Sequence, residues 1–194
     1  SITIGFAYYA FFSANKLIVD FSLEQMFPEN DPERDKYDQF RAEFSREDDK
    51  FLLIYSCDDP LSRENIKKLS IIDGLINKIV GIEQTTSLSN IQENEELLFD
   101  ESLDDSTWKA HKEKVLNHPL YTNLVISEDG KSGAIFVDMK DDVNNQTLRE
   151  NLFKEIDRGL EIHGRDWEWY EAGIPVLRTR YVELVSKERS IFIP

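Results

Sequence analysis

An α+β fold, with an antiparallel or mixed sheet and helices on one of its faces, is what the sequence predicts. Three observations lead there. A continuous apolar run, Phe51–Tyr55, has the strength of a strand covered on both faces. Two apolar stripes at helical spacing run through Ile66–Ile79 and Leu148–Leu160. The short apolar run Ala134–Val137, as a hairpin arm, and the alternating segment Asp166–Tyr170 read as further strands.

Taken in order, Leu17, Val19, Phe21 and Leu23 alternate, so Lys16–Phe27 reads as extended. Asn30-Asp31-Pro32 starts a helix, with Asp31 as cap and Pro32 in the first turn. Tyr37, Phe40 and Phe44 form its apolar face. After the Phe51 strand, Asp58-Asp59-Pro60 is a turn and Ser62 caps the next helix. Ile66, Leu69, Ile72, Leu75 or Ile76, and Ile79 line that helix, and Gly81 ends it. Ile82–Leu88 is a Thr-rich strand, and the acidic stretch Ser89–Asp105 is a loop. Ser106–Leu116 is a helix closed by Asn117-His118-Pro119. A hairpin joins Asn123–Ile126 to Ala134–Val137 through Glu128-Asp129-Gly130. Thr147–Glu150 reads as a capping box before Leu148, Leu152, Ile156 and Leu160. The strand Asp166–Tyr170 is broken by Gly173-Ile174-Pro175, and a last helix sets Leu177, Tyr181, Leu184 and Val185 on one side. Without the insertion at 91–105, the series is strand, helix, strand, hairpin, helix, strand. That is the split βαβ, or ferredoxin-like, plan.

With 194 residues the chain can bury a real core, as one domain or two small ones. Its 40% hydrophobic and 11% aromatic content excludes a disordered acidic tail. Lys plus Arg number 23 and Asp plus Glu 38, so the net charge is 23 − 38 = −15. That balance disfavours nucleic acid and anionic membrane surfaces as partners, because phosphates are repelled. A single cysteine, Cys57, excludes an internal disulfide scaffold. Ile2–Phe12 is uncharged but shorter than the roughly 20 residues a membrane helix needs. It also lacks the basic start of a signal peptide. At the other end Lys187-Glu188-Arg189 gives way to Ser190–Pro194, which turns apolar. Both ends suit a loop cut from between two membrane helices; a surface strand or amphipathic helix at each end is the plainer alternative.

Chemistry-bearing residues are sparse. His111 and His118 are seven apart on one helical face, but Pro119 follows the second and no third ligand is in register; with His163 they read as surface histidines. Cys57 stands beside Asp58 and Asp59, whose charge disfavours a thiolate, so it reads as a packed thiol. The acidic stretches Asp48-Asp49, Asp58-Asp59 and Asp138–Asp142 lack calcium-loop spacing and read as solvated. Asn145-Gln146-Thr147 matches a glycosylation acceptor but lies at a helix start, where such residues are wanted anyway. Trp167 and Trp169 share a strand face, as core packing or as a ligand-facing aromatic surface. No Gly-rich phosphate loop, nucleophile elbow or spaced carboxylate pair occurs. No enzyme, catalytic residue, metal site or cofactor is expected from this, and no substrate-binding residue is singled out.

Several segments in series resemble the first large extracytoplasmic loop of exporters of the RND superfamily, of the MMPL type that is also similar to Patched-like proteins. They are Phe27-Pro28-Glu29-Asn30-Asp31, Phe44–Asp49 ahead of Phe51–Tyr55, Thr86-Ser87-Leu88-Ser89-Asn90, Ser127-Glu128-Asp129-Gly130, Ala172-Gly173-Ile174-Pro175 and Ser186-Lys187-Glu188 leading to Ile191–Pro194. Ser45, where the family usually has Gly, and Glu188, where Asp is commoner, depart from the pattern. The resemblance runs from about residue 17 to 194.

It implies a ferredoxin-like porter subdomain between transmembrane helices 1 and 2, lying outside the cytoplasmic membrane of a proton-driven exporter of hydrophobic or lipid-like substrates. Residues 1–20 would be the end of helix 1 and its lead-out, 21–173 the porter domain, and 174–194 the exit helix toward helix 2. Its partners would be the second extracytoplasmic loop and the membrane helices of the same polypeptide, with the substrate passing between the loops and homo-oligomerisation left open. The proton-carrying acids lie in membrane helices and map onto no residue here. A stand-alone acidic α/β module binding a ligand or a protein is the rival expectation.

Overall fold

The computed structural model describes residues 32, 33, 36, 39, 49–93, 95–140 and 146–192, with side chains to Val185 and at Lys187. It is α+β, with a four-stranded antiparallel sheet. The chain divides into two compact units, one of residues 44–179 and one of residues 1–43 with 180–194.

The larger unit opens with β1 (Lys50–Ser56). Phe51, Leu53 and Tyr55 are buried on one face, whereas Leu52 and Ile54 on the other are only half-buried. The apolar run therefore reflects one fully buried face, not two. Helix α1 (Arg63–Ile76) starts as expected: the Ser62 hydroxyl accepts from the Asn65 amide at 3.2 Å. Its core stripe is Ile66, Leu69, Ile72 and Ile76. The helix stops at Ile76, five residues before Gly81, and the turn between uses backbone bonds such as Ile79 N–H to Ile76 at 2.9 Å. Gly81 instead takes φ 101°, in the left-handed region, just before β2 (Ile82–Thr86).

The acidic stretch after β2 is not a plain loop. It carries a two-stranded hairpin, β3 (Gln92–Glu93) with β4 (Glu96–Leu97), and buries Leu98 and Phe99 in the core. Helix α2 (Asp105–Asn117) follows, capped by the Asp104 carboxylate, which accepts from the Ser106 and Thr107 amides. Asn123–Ile126 is likewise not a strand. Asn123 takes φ 66° and only isolated bridges occur at Thr122–Ile126 and Ile126–Gly133, because the amides of Leu124, Val125 and Ile126 turn back to the Tyr121 carbonyl.

Strand β5 (Ser132–Met139) leads to α3 (Gln146–His163). Since α3 begins at Gln146, Thr147 lies inside the first turn and not at the cap position expected for it. Leu148 is also off the core face, at 46% exposed; Leu152, Phe153, Ile156 and Leu160 make it. Strand β6 (Glu168–Gly173) then passes directly into α4 (Ile174–Phe192). Gly173 makes that corner with φ 134°, and a side chain there would meet the Phe51 backbone at 2.9 Å. On α4 the expected apolar face points outward: Leu177, Tyr181 and Leu184 are exposed, while Val176 and Val182 are buried.

The sheet order is β2-β5-β1-β6, every neighbour antiparallel. The β1–α1–β2 and β5–α3–β6 connections therefore interleave, each passing over a strand of the other. Helices α1 and α3 pack together on one face, with Phe51 and Phe153 rings 5.0 Å apart beneath them. Burying side chains of this kind contributes about 1.5–3 kcal/mol each.

In the smaller unit, residues 32, 33, 36 and 39 are helical, with Lys36 and Glu33 paired at 2.8 Å, in line with a helix start at Pro32. The readings on Lys16–Phe27, Asp31, Tyr37, Phe40, Phe44 and Asn145 lie outside the described residues. Arg180 and Glu183 pair at 3.3 Å on α4. Among the described residues, no helix is long and apolar enough to cross a membrane.

Candidate functional site

Asp73 lies on the core side of α1, between Ile72 and Ile76, and is 4% exposed. One oxygen, Oδ2, accepts from the hydroxyls of both Ser87 and Ser89 in the loop after β2. The other, Oδ1, is buried with no hydrogen-bond partner. Burial pushes this carboxyl up to about 6, and the two serine hydroxyls, which favour the charged form, pull against it. The same loop closes on itself. The Asn90 side chain accepts from the Ser87 amide at 2.8 Å and donates to the Thr85 carbonyl at 2.9 Å, and the Ile91 amide donates to Ser87 at 3.1 Å. The side-chain amide of Asn77, at the C-terminal cap of α1, donates to Thr85 Oγ1 at 2.7 Å. Sequence reading passed over Asp73, although an acid inside the Leu69–Ile76 stripe was a visible signal.

Beside this polar knot runs a groove of about 600 Å³, lined by Ile66 of α1, Leu97 and Phe99 of the insertion, and Trp108 of α2, together with Ser70, Ser89 and several charged residues. Phe99 and Trp108 lie 5.0 Å apart, and the Trp108 indole donates to the Leu61 carbonyl at 3.0 Å. Arg63 sits 4.4 Å over the Trp108 ring and donates to the Leu103 carbonyl at 2.6 Å. Lys114 pairs with Glu93, and Lys67 with Glu101 at 3.1 Å. The insertion is thus fastened to both helices.

The sheet face away from α1 and α3 carries a second feature. By register, Leu52 stands between Phe136 and Ala172, and Ile54 between Ala134 and Tyr170. Leu52, Ile54, Phe136 and Ala172 are half-buried, and Tyr170 is 58% exposed. Glu168 and Asp138 border this apolar band, and Asp138 is held by Lys50 at 3.4 Å and by Gln84 at 2.8 Å.

The residues weighed from sequence do not converge. His111 is half-buried on α2 and its Nδ1 donates to the Leu98 carbonyl at 2.5 Å, so it too fastens the insertion. His118 caps the end of α2, its Nδ1 accepting from the Leu120 amide at 3.2 Å. His163 is exposed at the end of α3. The Cys57 thiol is pushed up to about 11 by burial, against a backbone hydrogen bond at Asp59 and the Lys68 charge, with the Asp59 and Asp58 charges adding to the rise, and it stays protonated at neutral pH. Trp167 stacks on Tyr55 at 4.8 Å and Trp169 lies 5.6 Å from the same ring, so both pack inward. Lys68 sits over Trp167 at 4.6 Å and pairs with Asp166. Among the described residues, no group of three or more His, Cys, Asp or Glu is placed to hold a metal ion. No protein-family model and no curated protein matches this chain.

Proposed function

We propose that this chain is an extracytoplasmic porter domain of a proton-driven exporter of the RND superfamily, the loop between transmembrane helices 1 and 2, acting on hydrophobic or lipid-like substrates by moving as a rigid unit. The apolar band of the sheet, Leu52, Ile54, Phe136, Ala172 and Tyr170, carries the reading. A two-layer domain buries one sheet face under its helices, and an apolar second face is a surface for a partner or a substrate. The partner proposed for it is the second extracytoplasmic loop of the same polypeptide.

Two features support this. The interleaved connections in the order β2-β5-β1-β6 support the split βαβ, ferredoxin-like plan that the resemblance implies. Within the Thr86–Asn90 segment that carries part of the resemblance, Ser87 and Ser89 both bond Asp73, so this segment has a structural part to play. The role is conformational, a domain that rocks against its partner without bond-making.

Tyr170→Asp in the complete exporter tests the band. Tyr170 is exposed, so the isolated chain keeps its thermal midpoint within a few degrees. Efflux of a hydrophobic dye falls by about tenfold, because a carboxylate is forced into an apolar contact. Unchanged efflux overturns the role given to this face.

A further inference from the structure

We propose that the Asp73 carboxyl is a proton-controlled latch on the Ser87–Ile91 loop: with its proton bound the loop is held down on α1, and with the proton lost the loop opens more readily and widens the groove beside it. The proposal goes beyond the exporter reading and does not depend on it.

The geometry is that of a latch. One carboxyl oxygen gathers both serine hydroxyls of the loop, so lifting the loop is what frees Asp73. Ser89 belongs to both features, since its hydroxyl bonds Asp73 and the residue is part of the groove's lining. Neither protonation state is fully satisfied in the closed form. The ionised form is out of water with Oδ1 unpartnered, and the neutral form has no acceptor there for its proton.

The groups around Asp73 leave the switching to this carboxyl. From the loop come the Ser87 and Ser89 hydroxyls. From β1, Tyr55 feels the Asp73 charge, but burial pushes its phenol so far up that it stays neutral. Among the described residues, no cationic or acidic side chain contributes to the Asp73 shift, which comes from burial opposed by the two serines. The sign follows. A carboxyl raised from 3.8 to about 6 binds its proton more tightly closed than open, so opening is favoured as pH rises through that interval and levels off above it. Between pH 5 and pH 7 the opening equilibrium rises by about tenfold.

Hydrogen exchange of the whole chain tests this at the amides of Ser87, Ser89, Asn90 and Ile91, all bonded within the loop. After correction for intrinsic rates, they exchange faster than the β1 and β5 amides, and their protection falls about tenfold from pH 5 to pH 7. Asp73→Asn abolishes the pH dependence. Ser89→Ala is the second variant should the first fail to fold: losing one donor to the carboxylate raises the titration further and enlarges the fall. Protection that is flat with pH, a fall that persists in Asp73→Asn, or loop amides that exchange only together with the sheet overturns the proposal.

Discussion

At Gly133 of β5, the absence of a side chain is what lets Tyr55 lie flat in the core. A methyl group there would come 2.3 Å from the Tyr55 hydroxyl oxygen and 2.4 Å from the ring carbon that bears it. The ring cannot yield, because Trp167 stacks on it and Trp169 tilts against it. Gly133→Ala should therefore cost about 2–3 kcal/mol in a urea melt. The Tyr55 hydroxyl is itself buried without a hydrogen-bond partner. Tyr55→Phe removes that burden and should raise stability by about 1 kcal/mol; a loss of similar size would mean that the hydroxyl is bonded in solution. The same reasoning separates Asp73 from Cys57. Both are raised by burial, but only Asp73 is brought into a range that ordinary changes of pH reach.

At the level of elements, the insertion between β2 and α2 belongs to the core. Phe99 is 4% exposed and packs on Trp108, so Phe99→Ala should cost about 3–5 kcal/mol, whereas Leu148→Ala on α3 should stay within about 0.5 kcal/mol. Equal effects in chemical denaturation would contradict this assignment of faces. Periodicity found α1 and its Ser62 cap because stripe and cap are local signals. It misplaced Leu148 because the α3 stripe begins with Leu152 and Phe153, one helical turn later. It read the insertion as a loop because its acids outnumber Leu97, Leu98 and Phe99, and charge density hides a two-residue strand. On α4 the apolar period was legible but its direction was not, since residues such as Val176, Arg178, Thr179 and Val182 turn inward. Asp73 escaped for a related reason: an acid in a stripe looks like an interruption until its serine partners, 14 and 16 residues away, are seen.

For the whole molecule, a net charge of −15 repels phosphate-bearing partners, and the sheet offers an apolar band that its own two helices do not cover. Under the proposed porter role these would belong together, the domain working outside a membrane against a second unit of the same polypeptide. The most direct test is to read the coding region on both sides of Ser1 and Pro194. The account predicts that Ile2–Phe12 continues upstream into a span of about 20 apolar residues and that Ile191 opens another. A start codon just before Ser1 and a stop just after Pro194 would contradict it, leaving a stand-alone acidic module whose ligand would be sought at the Trp108 groove.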